Sequence, residues 1–249
     1  MDRLDETLLL DAPAPRRTAR RLSVGLATDE EERRAAQRLR WRVFAEELGA
    51  RLDSPEPGID QDIFDAYCEH LVVKDGAAVV GTYRLLPPEG AKRIGLYYSE
   101  TEFDLTRLRG IRSRMVELGR SCIAPAYRSG AVIALLWAGV ARYVLAHGYT
   151  HLAGCASIGV AQAAGAAAQL EKHLSPPEYR VTPRRRVPAQ NPSVDSDGLP
   201  PLVKGYLRAG AWVCGEPALD TEFNCADFFM LMPLERIEAR YARHFLGPG

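Results

Sequence analysis

The stretch Met115–Trp137, MVELGRSCIAPAYRSGAVIALLW, constrains this chain more than any other. A short strand carrying Glu117 and Arg120 runs through a proline-containing turn into an Arg-Ser-Gly step, and a long apolar helix opens directly behind it. A strand, a glycine turn and a helix N-terminus make a cradle of unpaired N–H groups suited to a phosphate-bearing ligand. With an acid and a base a few residues upstream, the layout points to group transfer.

The flanking patterns extend this unit in both directions. Ser23–Ala27 predicts a first strand. Thr28 followed by Asp29, Glu30 and Glu31 predicts a capping box for a helix running to about Leu48, with Leu39, Val43 and Phe44 inward. Glu69–Lys74, a turn at Asp75–Gly76, and Ala78–Leu86 predict a hairpin closed by Pro87–Pro88. Arg114–Cys122 is a strand, and Val132–His147 is a helix apolar nearly all round and therefore buried. Tyr149–Ser157 is a strand and Val160–His173 an alanine-rich helix. Strands are expected around Lys204–Cys214 and Ala226–Met232, with a closing helix over Leu234–Phe245. The sum is an α/β (α+β) protein with one mixed central sheet flanked by helices. Residues 1–21 read as a disordered basic leader, and 22–249 as a single domain with an exposed Pro/Arg-rich insertion at about 175–199.

Composition narrows the class. Thirty-two basic residues balance thirty-two acidic ones, so nothing in the net charge favours nucleic acid. Arg16, Arg17, Arg20 and Arg21, and again Arg184–Arg186, form local basic patches suited to an acidic partner or anionic lipid, or simply to solvent. Five cysteines in odd number and without CxxC spacing read as buried thiols of a reducing compartment. No segment resembles a signal peptide, and the greasy run Ala131–Ala146 is too short to span a bilayer. A cytoplasmic protein is expected. GxSxG, HExxH and GxGxxG are absent, which disfavours a serine hydrolase, a zinc protease and a dinucleotide oxidoreductase.

Within the central unit, Glu117 and Arg120 stand three apart and would point to opposite faces of a regular strand. Gly119 between them suggests a bulge, which would reset the alternation and bring both to one face. Arg128 and Gly130 suit a phosphate at the helix start, although a glycine-containing helix start is common without one. Asp60, Asp62 and Asp65 lack the glycine and terminal glutamate of a calcium loop. They read as partners for Arg40 or Arg84, as contacts for a cationic substrate, or as caps; no metal is expected.

Arg40-Trp-Arg-Val-Phe44, Asp62-Ile-Phe-Asp65, Gly81-Thr-Tyr-Arg84 and Glu117-Leu-Gly-Arg120, in this order, resemble the acyl-carrier-protein-dependent branch of the GNAT acyltransferases. That branch holds the acyl-homoserine-lactone synthases and the bacterial ornithine N-acyltransferases. CEHLVV, VGTYRLLPP, VELGRSCI and LVKGYLRAGAWVCGEPALD are more similar to the second group, over roughly residues 22–245. The tryptophan that the lactone synthases carry shortly after the Phe44 position is missing. The YRSGA turn has less glycine than the pyrophosphate loop of ordinary acetyltransferases, which favours a phosphopantetheine arm over coenzyme A.

The resemblance implies a GNAT-like fold and transfer of a 3-hydroxy fatty acyl group from acyl carrier protein to the α-amine of ornithine, giving a lyso-ornithine lipid. No permanently bound cofactor is implied; the 4′-phosphopantetheine arm of the carrier delivers the acyl group. Glu117 is the expected base, with Arg120 beside it. Arg40, Phe44, Asp62, Asp65 and Arg84 order the acceptor side. Backbone N–H groups at Ser121, Cys122 and Ile123 serve the oxyanion, and Arg128 and Gly130 the phosphate. A covalent route through Cys122 stays open, as do a different acceptor amine, lactone synthesis, and a catalytically silent carrier- or lipid-binding module. A peripheral contact with the inner face of the membrane is also expected.

Overall fold

The computed structural model describes residues 21–188 and 198–237. The leader at 1–20, part of the Pro/Arg-rich stretch and most of the expected closing helix therefore lie outside the described residues.

The strands are β1 (Leu22–Leu26), β2 (Glu69–Asp75), β3 (Ala78–Leu86), β4 (Phe103–Asp104) and β5 (Met115–Ile123). They continue with β6 (His151–Gly159), β7 (Thr182–Pro183), β8 (Trp212–Val213), β9 (Ala218–Asp220) and β10 (Cys225–Pro233). The helices are α1 (Glu30–Trp41), α2 (Pro88–Ile94), α3 (Ala131–His147), α4 (Ala163–Leu170) and α5 (Pro201–Ala209). The main sheet runs β1-β2-β3-β5-β6-β10-β8, with β9 also on β10; β4 and β7 form a separate pair. Every pairing is antiparallel except β5 with β6.

Alternation along β2 assigns the two faces. Leu71 and Val73 pack with Leu136 and Val140 of α3, whereas Val72 packs with Ala36 and Leu39 of α1. Strict period-two patterning sends neighbouring residues to opposite sides of the sheet, so one hairpin seats a helix on each face. The helix on the α3 side lies close: a Cβ at Gly81 would sit 2.4 Å from the Val132 side chain.

Several elements differ from expectation. The α1 cap is Asp29, whose carboxylate accepts from Glu32 N at 2.9 Å, while Thr28 N donates back to Glu32. The reciprocal box forms one residue later than its sequence signature. The helix then widens to a π-helical stretch over Arg42–Glu47. Lys204–Cys214 is not a strand. Pro201 fits the first turn of α5, and Gly210 at φ 105° ends it. Leu202, Val203, Tyr206 and Leu207 thus repeat at helical spacing, and only Trp212–Val213 pair with β10. After Pro233 the chain makes a single 3₁₀ turn, Leu234–Arg236. The described part of the insertion is tied down through β7 on β4 and by buried Val181 and Leu199.

Candidate active site

The parallel pair β5–β6 holds register only at Met115–Glu117 with His151–Ala153. At the next step the backbones nearly touch, because a Cβ on Gly154 would lie 2.3 Å from the Leu118 carbonyl oxygen. Beyond it no further β5–β6 pairs form among the described residues. Leu118–Ser121 and Cys155–Ser157 instead line a cavity of about 260 Å³ between the two strands.

On its other edge β5 carries a bulge. Thr82 pairs with Cys122 and Arg84 with Gly119, so Tyr83 faces both Arg120 and Ser121. Arg120 takes φ 50°, the left-handed conformation that admits the extra residue. The bulge thus falls one residue after Gly119, and it resets the alternation. Met115 and Glu117 belong to the α1 side of the sheet, and after the bulge so does Cys122, which packs against α1. Arg120 joins that face. Its guanidinium lies 5.0 Å from the Tyr98 ring centroid and 4.6 Å from that of Phe223.

Glu117 is buried and faces the 3₁₀ turn Tyr98–Thr101. Its carboxylate accepts from Tyr98 N at 2.6 Å, from Ser99 N at 2.8 Å and from the Ser99 hydroxyl. Burial pushes the carboxyl up from the ordinary glutamate range, and the Ser99 and Tyr98 hydrogen bonds pull it back. This holds and orients a carboxylate whose proton affinity exceeds that of an exposed glutamate. Ser99 also lies 3.3 Å from the Cys155 sulfur, extending the chain toward β6.

Behind Arg120 stands a closed ionic network. Arg40, 0% exposed, gives Nε to Asp60 at 2.7 Å and Nη1 to Asp65 at 2.7 Å, and its Nη2 donates to the Asp60 carbonyl at 2.6 Å. Arg84 binds Asp62 at 2.7 Å and Asp65 at 2.9 Å; Arg120 stands 3.3 Å from Asp60 and 3.5 Å from Asp62. Burial would raise the Asp65 carboxyl, but the charges of Arg40 and Arg84 hold it well below the usual range. Burial pushes the His70 imidazole down to about 4, so it stays neutral beside them. Of the expected acceptor-side residues, only Phe44 and Arg84 line the cavity; Arg40, Asp62 and Asp65 bind one another and position Arg84 and Arg120.

A second, apolar cavity of about 770 Å³ adjoins the first and shares Phe44, Ser121, Pro200, Leu202 and Tyr206 with it. It runs past Cys122 and Ile123 between α3 and α5. The alanine-rich α4 contributes nothing to it; α5, invisible as a helix in the sequence reading, supplies the opposite wall. Arg128 stands at its rim, bound to Glu47 through two contacts of 2.6 and 2.8 Å. Gly130, at φ 94°, opens α3 without a side-chain cap. Burial pushes the Cys122 thiol up to about 12, which leaves little thiolate for covalent chemistry.

Sequence reasoning overlooked Tyr98, Ser99, Glu102, Asp220, Phe223 and Asp227. Ser99 and Tyr98 sit within YYSETEFDL, a conspicuous segment with no regular element to place it. The others come from the β9–β10 hairpin and the turn before β4, and nothing in the local pattern ties those to Glu117.

Residues 39–138 match the family described as Acetyltransferase (GNAT) domain. Among solved structures the fold is similar to the AHL synthase LasI, with TM-score 0.55 and 15% identity over 92% of this chain and 96% of that one. The CoA-dependent acyl-homoserine lactone synthase BjaI gives TM-score 0.53 and 18% identity over 88% and 84%. At the sequence level the chain is 38% identical to the L-ornithine N(alpha)-acyltransferase of Brucella abortus (strain 2308), over 90% of this chain and 88% of that protein. It is 37% identical to that of Rhizobium meliloti (strain 1021), over 90% and 84%. With a GNAT sheet splayed at β5–β6, a buried glutamate in the wedge, and this identity along nearly the whole length, the chain belongs to the L-ornithine N(alpha)-acyltransferase family and is an acyltransferase.

Proposed function

We propose that the protein transfers a 3-hydroxy fatty acyl group from acyl carrier protein to the α-amine of L-ornithine, giving a lyso-ornithine lipid. The observation that carries this reading is the junction of two unlike cavities at the β5–β6 wedge. One sets the charged side chains Glu117, Arg84, Arg120, Asp220 and Asp227 among apolar walls; the other is almost wholly apolar and follows α3 from Ile133 to Leu145, with Arg128 at its rim. An amino acid fits the first and an acyl chain the second, so the thioester carbonyl comes to rest between them.

An α-amine with a pKa of about 8 is largely protonated near neutral pH and must lose a proton before attack. Glu117, oriented by Tyr98 and Ser99, takes that proton directly or through a water. Nitrogen then attacks the thioester carbon, and the tetrahedral oxyanion needs donors already in place. N–H groups of β5 within Ser121–Ile123 that point away from β3, on the edge where β6 has separated, serve this role. Collapse breaks the C–S bond and the leaving thiolate takes up the proton that the nitrogen sheds, so the carrier departs with a free thiol and the amide remains.

The donor arm enters along α3. The Arg128–Glu47 pair is exposed and therefore weak, so exchanging Glu47 for the pantetheine phosphate keeps a two-point contact at little cost. Carrier protein is the expected macromolecular partner, with exposed Arg184–Arg186 as its basic contact. Leu48, Leu145 and Leu202 are exposed around the apolar cavity, which supports peripheral contact with the cytoplasmic membrane that receives the product. No helix among the described residues is long and apolar enough to cross a membrane.

The test is incubation with 3-hydroxyacyl carrier protein and a panel of amines, with products identified by mass spectrometry. An N-acyl ornithine is the expected product. Acylation of a different amine with no ornithine adduct, lactone formation from S-adenosylmethionine, or no product at all would each replace this reading.

A further inference from the structure

The arginine network leaves another acidic group without a counterpart. Glu102, which follows the Tyr98–Thr101 turn, and Asp227 of β10 place carboxyl oxygens within 4.8 Å of each other and of the Cys155 sulfur. Asp220, at the end of β9, stands within the same distance of Asp227 and the Cys225 sulfur. Both oxygens of Glu102 are closed to solvent and meet no N–H donor; their contact is with the Asp227 carboxyl, with which Glu102 shares a proton. Asp227, 3% exposed, receives the thiol of Cys225 at 3.2 Å and the hydroxyl of Ser157, but no cation. Asp220 is partly committed, since one oxygen accepts from Glu222 N and Phe223 N to close the hairpin turn. No ion pair among the described residues involves any of the three.

Carboxyl groups withdrawn from water without a cation or donors are costly, and an unsatisfied buried set calls for a missing partner. Burial and the neighbouring Asp227 push Glu102 up to about 10, so the empty set keeps a proton that an arriving cation would displace. The set opens where the acceptor must sit. Asp220, Asp227 and Cys155 line the same cavity as Glu117 and Arg120, and the Cys155–Ser99–Glu117 contacts place it two side chains from the base. The same cavity holds an independent sign of a ligand: the Arg120 side chain is only 7% exposed, yet its Nε, 3.3 Å from Asp60, makes no hydrogen bond. A buried donor at one end and bare carboxyls at the other complement a zwitterion that carries an additional cation.

We propose that Glu102, Asp227 and Asp220 hold the side-chain ammonium of the acceptor and so select a diamino acid over a neutral one. This rests on the ornithine reading above. With the α-amine at Glu117, three methylenes carry the far ammonium toward the acidic group, where its three N–H donors meet the open carboxyl oxygens. A divalent metal is the less suitable occupant. The set lines the cavity that also holds Glu117 and Arg120, the place for an acceptor rather than a resident ion.

Steady-state kinetics of the full chain with ornithine and with norvaline, which lacks the δ-ammonium, test this in wild type, D227N and E102Q. The expected result is a tenfold or greater rise in KM for ornithine with a smaller change in kcat. The preference in kcat/KM for ornithine over norvaline should fall at least tenfold, with partial rescue by D227E. Retained norvaline turnover reports an intact fold in each variant. An unchanged ornithine preference in both variants overturns the assignment. So does Zn²⁺ binding to the wild type at micromolar or tighter affinity, read by calorimetry and lost in both. A wild type that acylates another amine but not ornithine instead removes the reading beneath it, and the two failures are distinct.

Discussion

Asp60, Asp62 and Asp65 share a buried space with three arginines, whereas Glu102, Asp220 and Asp227 share one with none. Both groups are acidic, largely withdrawn from water and next to the β5–β6 wedge, since Arg84 and Arg120 line it from one cluster and Asp220 and Asp227 from the other. The first group is complete in itself: each carboxylate has a guanidinium within reach, so its charge is matched inside the protein. The second is incomplete and carries its mismatch as a raised proton affinity. Neutralised charge builds the wall of a site, and unmatched charge marks where a ligand goes.

The largest effect is expected from breaking the matched group. Arg40→Ala leaves Asp60 and Asp65 buried without their principal partner and should cost about 3–5 kcal/mol, a large part of a typical total stability. Denaturant unfolding measures it; a loss below 1 kcal/mol would mean that Arg84 and Arg120 alone suffice. Glu117 lies between the two groups, and Glu117→Gln keeps its shape while removing the proposed base. A drop in kcat of roughly 10²–10³-fold with little change in KM is expected, and a pre-deprotonated acceptor at high pH should recover part of it.

Opposite pH signatures sharpen the comparison further. The Asp65 carboxyl is depressed on folding, so its contribution is present above the ordinary aspartate range and is lost as pH falls below it. Glu102 is raised from 4.5 to about 10, so the folded state binds its proton more tightly than the unfolded chain does. Its contribution is full below about 4.5 and declines as pH climbs toward 10. Glu102→Gln should therefore flatten the alkaline decline and stabilise the protein at pH 8 by on the order of 2 kcal/mol. Asp65→Asn should remove the acid limb instead. Thermal midpoints across pH 2–9 distinguish the two, and identical profiles would erase the contrast. The smallest effect is expected at Cys122. Its thiol is buried and pushed up to about 12, so Cys122→Ala should keep activity within about twofold, and a hundredfold loss would reopen the covalent route.

Much of this was legible from local pattern. The β2–β3 hairpin, β5, α3 and β10 were placed within a residue or two because each has a period, a turn residue or a cap that acts over short range. Gly119 signals the bulge, and the residue in the left-handed conformation is its neighbour Arg120. The errors share a cause. Lys204–Cys214 was taken for a strand because its apolar residues suit either period over a short window, and only Pro201 and Gly210 mark the helix ends. The helix hidden by that ambiguity, α5, walls the apolar cavity opposite α3.

The amino-acid sequence by itself determined the strand–turn–helix unit, the order of the motifs and, through Glu117 and Arg120, the chemistry to be expected. These are properties of neighbours along the chain, where spacing and residue type act directly. The tertiary structure alone decided which charges cancel. Arg40 meets an aspartate twenty residues away, while Glu102 meets Asp227 across 125 positions with no cation between them. Electrostatic energy depends on separation and burial in space, and neither quantity is written in the order of residues.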